Sequence, residues 1–301
     1  MTKKKVLISG ATGFIGSALA KSLTSSGFHV VILSSSRSDH SKYIYKWNPN
    51  SRTTELPLNT DYFAIINLSG ASIAETPWNR NGQKMIKESR VNSTLYLKEL
   101  VEQLPGPPAH FISASAIGYY GLHDDSIKNE SSHGGDDFAA MVCREWENAA
   151  HQLSSDKTQL SIIRIGIVLG RDGGFFKKLK KLSKRKIAAP IGNGEQPVCW
   201  IHIDDLIQLY IDLLQGSITP GTYNAVSTCD SNKLVTSTIA TANGQKLLLP
   251  AIPDLIIKII FGKKSMIFTK GSRISSAKLS QAGFKFLYTD IKQAIQNLIS
   301  K

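Results

Sequence analysis

Glycines at positions 10, 13 and 16 stand three residues apart, directly behind the apolar run Val6-Leu7-Ile8. Residues of this type at this spacing can grip phosphate. Gly10 permits a tight turn off a strand, Gly13 lets a diphosphate lie against bare backbone, and Gly16 lets a helix pack on the sheet. Ile15, Leu19 and Leu23 share one helical face, so a helix starts before the third glycine and Gly27 stops it. The free N–H groups and positive dipole end of that helix face an anion. On its own a G-x-x-G-x-x-G string says little. Between a strand and a helix it reads as a dinucleotide site.

The second β-rich run, His29 to Leu33, leads into Ser34-Ser35-Ser36-Arg37, with no acid before Asp39. A carboxylate about 20 residues after the glycine motif usually holds the adenosine ribose of NAD. Arginine there instead pairs with a 2′-phosphate through forked hydrogen bonds, with serine hydroxyls as further donors. The residues therefore favour NADP(H), through Ser36 and Arg37; the alternative is an Arg37 that is simply exposed at a strand end.

Other reactive residues give less. His202, Asp204 and Asp205 lie close together but lack a fourth contributor to a metal site. Cys143, Cys199 and Cys229 are odd in number and widely spaced, which argues against disulfides and a thiolate metal site. The run Lys177 to Lys186 contributes to a net charge of +13. It has no interleaved aromatics for base stacking, and a solvated helix face or mobile loop is the favoured reading over an anion-binding one.

The elements that must position these residues alternate. Ala64 to Leu68 reads as a third strand, about 80 to 104 as a long helix, and His110 to Ser113 as another strand followed by a loop from Ala114 to Gly121. Asp137 to Leu153 reads as a helix and Leu160 to Ile165 as the next strand. Between Ser34 and Asp61 turns and short strands replace the expected helix, and further helices are expected near 254 to 261 and 289 to 299. The pattern predicts an α/β fold: a Rossmann-type doubly wound, mostly parallel sheet with a smaller C-terminal substrate-side domain. The dinucleotide domain is expected over residues 1–170, with segments from 195–230 added, and the smaller domain over 171–301. A chain of 301 residues with 42% hydrophobic content and no membrane-length apolar run is expected to be cytoplasmic. It is expected to be a monomer or homodimer with a small-molecule substrate and neither nucleic acid nor membrane as a partner.

Taken together, the motifs resemble the extended short-chain dehydrogenase/reductase superfamily, and within it the atypical "epimerase family" branch, also labelled cell-division-inhibitor homologues. The resemblance rests on Ser9-Gly-Ala-Thr-Gly-Phe-Ile-Gly16, Ile66-Asn-Leu-Ser-Gly-Ala71, Trp78-Asn79 with Ser89-Arg90, and Ser113-Ala-Ser-Ala-Ile-Gly-Tyr-Tyr-Gly121. Trp146-Glu147, Arg164 to Gly170, Trp200-Ile-His-Ile-Asp-Asp205 and Ala282 to Phe286 complete it. It implies that Thr12, Phe14 and Ile15 join the three glycines along the cofactor. It also assigns Ser36, Arg37, Leu68, Ser69, Gly70, Arg90 and Ser113 to the dinucleotide. Trp78 either shields the nicotinamide pocket or anchors a loop.

Such enzymes normally use a Tyr-x-x-x-Lys pair on the helix after the fifth strand, where lysine lowers the tyrosine pKa for proton exchange. Here that helix reads Asp137-Phe-Ala-Ala-Met-Val-Cys-Arg-Glu-Trp-Glu147, with neither residue in place. Ser115 matches the serine that polarises the substrate carbonyl, and Tyr119 or Tyr120 is the candidate replacement acid. Two functions stay open: an NADP(H)-dependent oxidoreductase or epimerase-like enzyme, and a catalytically silent NADP(H)-binding regulatory protein.

Overall fold

Strands with four or five consecutive buried residues build the centre of the protein. A computed structural model describes residues 3–121, 126–245 and 250–300. The first elements are β1 (Lys5–Ser9), α1 (Phe14–Ser25), β2 (His29–Ser34), β3 (Ile44–Asn48) and β4 (Thr53–Thr54). Next come β5 (Ala64–Asn67), α2 (Arg80–Val101), β6 (His110–Ala116), α3 (Phe138–His151) and β7 (Gln159–Ile165). Then follow β8 (Ile167–Leu169), α4 (Gly174–Lys184), β9 (Pro197–His202), α5 (Ile203–Gln215), β10 (Thr222–Ala225) and β11 (Thr228–Ser231). The last helices are α6 (Asn232–Ala242), α7 (Asp254–Phe261), α8 (Met266–Thr269), α9 (Ala277–Gln281) and α10 (Ile291–Ser300).

The main sheet has the order β10-β7-β6-β5-β1-β2-β3-β4. β1 runs parallel to β2 and β5, β2 to β3, and β5 to β6; only the short β4 is seen to pair antiparallel, with β3. Winding outward from β1 in both directions is the doubly wound pattern, and its ligand crevice lies outside the C-terminal ends of the strands beside β1. The Rossmann-type expectation holds. Between β2 and β3 there is no α-helix, as the turn residues predict. A 3-10 turn at His40–Lys42, closed by Tyr43 at φ 56°, makes the crossing.

The chain forms two compact units. The first comprises residues 1–115, 141–163 and 207–222; the second comprises 116–140, 164–206 and 223–301. The piece that returns to the first unit is 207–222. Each crossing falls inside an element, namely β6, α3, β7, α5 or β10. In the first unit Leu7, Val31, Ile65 and Phe111 from the sheet bury against Tyr96, Leu97 and Leu100 of α2. Trp47 of β3 stacks on Tyr96 at 6.0 Å between centroids, so β3 takes over the covering role of the missing helix. In the second unit a three-stranded sheet, β11-β9-β8, packs Val198 and Trp200 against Phe176, Val235, Ile239 and Ile295.

Two expectations are corrected. β6 continues through Ala116 and Ile117–Tyr120 forms a 3-10 turn, so Ser115 stands on a strand, not in a loop. Cys199 and Cys229 face each other across β9 and β11 and form a disulfide, while Cys143 is buried and takes part in no disulfide. Antiparallel pairing closes the 30-residue separation, so no C-x-x-C spacing is needed. No described helix is long and apolar enough to cross a membrane.

Candidate functional site

Each glycine of the motif has a distinct steric reason. Gly10 has φ +74°, and a Cβ there would stand 2.6 Å from the Leu68 carbonyl oxygen. A Cβ at Gly16 would lie 2.3 Å from the Gly10 carbonyl oxygen, so its close partner is the turn itself and not the sheet. At Gly13 the nearest atom would be the same oxygen at 3.3 Å. That contact is tight without being a clash, and Gly13 is the exposed N-cap of α1 with no side chain to satisfy the helix. Its carbonyl takes the Ser17 N–H at 2.9 Å, which leaves the N–H groups of Phe14, Ile15 and Gly16 without intrahelical acceptors. No acid sits in that first turn. Thr12 is exposed beside them.

A buried network fixes this turn against the next strand. The Ser9 hydroxyl donates to Asn67 Oδ1 at 2.7 Å, and the Ser69 N–H donates to the same oxygen at 3.1 Å. The Asn67 amide nitrogen donates in turn to Thr94 on α2 at 2.8 Å. Leu68, Ser69 and Gly70 thereby line up beyond the end of β5. Gly70 packs on the Arg90 side chain, where a Cβ would meet Arg90 Cζ at 3.0 Å. Arg90 donates to the Ala71 and Ile86 carbonyls at 3.0 and 2.9 Å, and its guanidinium lies over the Trp146 ring at 5.2 Å. Arg90 thus braces the 68–71 loop from below. Trp78 donates to the Ile73 carbonyl at 3.3 Å, which is the anchoring alternative.

At the end of β2 the buried Ser34 hydroxyl accepts the N–H groups of Ser36 and Arg37 at 3.3 and 3.4 Å. Ser36 and Arg37 are exposed, and Arg37 makes no ion pair among the described residues. Asp39, the first acid, is engaged elsewhere: Ser41 donates to it at 2.7 Å and Lys42 pairs with it at 3.2 Å. Those two partners hold its carboxyl below the usual range.

On the other side of β1, register places Ser9, Asn67 and Ser113 in one row across β1, β5 and β6. Ser113 is buried and its hydroxyl donates to the Ala114 carbonyl at 3.1 Å. Ser115 lies two residues further along β6, toward the same crevice rim. Its hydroxyl donates to Glu147 Oε1 of α3 at 2.6 Å. Both are nearly sealed, at 3% and 5% exposure. Sequence reasoning quoted Glu147 only as a family marker. A signal was present: the residue sits on the buried face Ala140, Cys143, Glu147, Ala150, an acid at helical spacing among small apolar residues.

The two tyrosines belong to the second unit. The Tyr120 hydroxyl donates to Asn224 Oδ1 at 2.7 Å and accepts from Arg164 at 2.9 Å. Burial pushes its pKa up. Asn224 is held in turn by Glu130, which accepts its N–H at 2.8 Å. Tyr120 is a member of a structural network. Tyr119 is half-buried, with the Arg164 guanidinium 3.4 Å from its ring centroid. Asp205 accepts the N–H groups of Leu287 and Tyr288 at 2.7 and 3.1 Å, and the His202 ring lies 4.0 Å from that of Tyr288. This segment ties the C-terminal region down. No group of three or more His, Cys, Asp or Glu among the described residues could hold a metal. Lys177, Lys178, Lys181 and Lys184 of the basic run are exposed on α4, whose Phe176 is buried, and Arg185 and Lys186 follow its end.

A doubly wound sheet with a bare glycine turn before a helix defines the nucleotide-binding α/β class. Within it the chain belongs to the NAD dependent epimerase/dehydratase family, whose profile matches residues 6–225; a domain of unknown function, DUF1731, matches 252–298. It is an atypical extended short-chain dehydrogenase/reductase of the epimerase family. The human epimerase family protein SDR39U1 is 29% identical over 304 residues, covering 98% of this chain and 100% of that one. The chloroplastic SDR39U1 homologue of Arabidopsis thaliana is 30% identical, covering 98% of this chain and 86% of its own. A crystal structure of human SDR39U1 isoform 2 with NADPH superimposes with a TM-score of 0.89 at 28% identity, over 98% of this chain and 99% of that one. UDP-glucose 4-epimerase from Thermotoga maritima shares the fold, with a TM-score of 0.78 at 15% identity over 98% and 97% of the two chains.

Proposed function

We propose that this chain binds NADP(H) and serves as an oxidoreductase or epimerase-like enzyme for a small molecule. The carrying observation is the end of β2, where Ser36 and Arg37 are exposed and the first acid, Asp39, is held by Ser41 and Lys42. A guanidinium in that place suits a 2′-phosphate and no carboxylate competes for the ribose. The exposed Gly13 and the unpaired N–H groups of α1 fit a diphosphate. With the diphosphate on the β1 turn and the 2′-phosphate on the β2 side, the nicotinamide half extends over β5 toward Ser113 and Ser115. The NADPH found with human SDR39U1 supports the same choice. When bound, the nicotinamide supplies hydride exchange; the chain's own residues bind and orient it and handle the proton.

The assignment of Gly10, Thr12, Gly13, Phe14, Ile15, Gly16, Leu68, Ser69, Gly70, Arg90 and Ser113 to the cofactor is part of this proposal, with Arg90 acting from beneath the loop. Ser115 is the candidate catalytic residue. The reading places the chain in the cytoplasm as a monomer or homodimer, with neither nucleic acid nor membrane as a partner. Titrating NADPH and NADH against wild type and Arg37→Ala tests it: NADPH must bind more tightly, and the mutation must remove the difference. A silent regulatory role is the second reading, favoured by the absence of Tyr-x-x-x-Lys on α3 and the commitment of Tyr120 to Asn224 and Arg164.

A further inference from the structure

We infer that Glu147 takes the place of the missing Tyr-x-x-x-Lys pair as a proton acceptor acting through Ser115; this rests on the NADP(H) reading above. The Ser115 hydroxyl is a donor to Glu147 at 2.6 Å, in the range of a charge-assisted O–H···O⁻ bond. Its one proton is therefore committed to the carboxylate, and the Oγ lone pairs are what remains for a ligand. The usual role of such a serine, donation to a substrate carbonyl, is closed while Glu147 is ionised. The opposite role is open. Ser115 can accept the hydroxyl proton of a substrate alcohol while passing its own proton to Glu147 Oε1.

The step balances in the oxidising direction. The alcohol O–H bond breaks, its proton joins Ser115 Oγ, and the former Ser115 proton joins the Glu147 carboxylate. The C–H electron pair leaves as the hydride that the oxidised dinucleotide accepts, and a carbonyl compound forms. In the reducing direction a protonated Glu147 returns the proton along the same path. The substrate class is therefore an alcohol or its carbonyl compound, with Ser115 the catalytic residue and Glu147 the positioning and proton-holding one.

The surroundings suit a proton relay. β6 offers hydroxyls at Ser113 and Ser115, with His110 at the far end of the strand. α2 brings Arg90, held by two carbonyls and the Trp146 ring, and Lys87, paired with Glu145 at 2.8 Å. α3 itself adds Cys143, Arg144 and His151 within a turn of Glu147. The register row Ser9–Asn67–Ser113 leaves Ser115 two residues beyond it on β6, where the cofactor placement proposed above brings the nicotinamide half.

The test needs no substrate. An ionised Glu147 near the nicotinamide favours the cationic NADP⁺ ring over neutral NADPH, so the ratio of the two affinities should rise with pH by about threefold or more. Isothermal titration with NADP⁺ and NADPH across pH 4.5 to 8 reads it. In Glu147→Gln the ratio should be flat with NADPH affinity retained. Ser115→Ala, which strips the carboxylate of its donor, should displace the pH dependence, and Ser115→Thr should restore it. A pH-independent ratio in wild type overturns the inference, as does an unchanged profile in a folded Glu147→Gln. If Glu147→Gln does not fold, identical profiles for wild type and Ser115→Ala overturn it. Failure of wild type to bind NADPH at all overturns the dinucleotide reading and this inference with it.

Discussion

A Cβ at Gly16 would stand 2.3 Å from the carbonyl oxygen of Gly10, whereas at Gly13 the same oxygen would be 3.3 Å away. The motif therefore divides into glycines required by the fold and one left for a ligand. Gly16→Val should destabilise the protein by about 3 kcal/mol, the upper range for forced overpacking. Gly13→Val, at φ −82° and ψ 177°, meets an ordinary extended backbone and should keep the wild-type melting curve while losing NADPH. Circular dichroism melts and a cofactor titration separate the two outcomes. A folded Gly13→Val that still binds NADPH would put the diphosphate elsewhere.

Arg37→Ala should cost about 1.5–3 kcal/mol of NADPH affinity, the range for hydrogen bonds to a charged group. NADH affinity should not change. Because Arg37 is exposed, the NADPH preference should also shrink as salt rises. Competition binding at low and high ionic strength measures both.

Tyr62, Tyr120 and Tyr210 are buried, and burial raises the pKa of each. The unfolded chain releases these phenolic protons near pH 10 while the folded protein retains them, so the unfolded state binds fewer protons above that pH. Stability should fall as pH climbs past 10. Tyr120→Phe should cost about 1.5–3 kcal/mol, because Arg164 and Asn224 lose their shared partner, without weakening NADPH. Denaturant melts at pH 8 and pH 11 give both figures, and a cofactor defect in Tyr120→Phe would contradict the structural role.

The disulfide gives a count. Alkylation of the unfolded, unreduced protein should modify Cys143 alone, and prior reduction should expose Cys199 and Cys229 as well. Intact mass after alkylation distinguishes one added group from three. Three groups without reduction would mean that the pair is a dithiol in the isolated protein.

What was legible in the sequence was local. The glycine turn, α1, α2 and the absent helix after β2 follow from residue period, caps and turn residues within a few positions of one another. The Ser115 environment was not legible as a loop, because whether Ala114 to Ala116 stay in strand geometry depends on neighbouring strands far away in the chain. Glu147 shows the same limit: its helical spacing marks it as buried, but only the β6–α3 packing reveals the hydroxyl 32 positions earlier that it holds. The Cys199–Cys229 bond escapes a spacing rule suited to contiguous motifs, because the β9–β11 register decides it. Arg37 needed no such help, since the feature that matters there is the chemistry of one strand end.

The chain leaves and re-enters each compact unit in the middle of β6, α3, β7, α5 and β10. No single cut in the coding sequence frees either half as a continuous stretch. Swapping either unit between relatives cannot then be done by joining two gene fragments at a linker. It calls for exchanging several short segments in parallel, each spliced within a helix or strand whose remainder stays native. A point change inside the shared framework is therefore a simpler way to alter one unit than the exchange of a whole module.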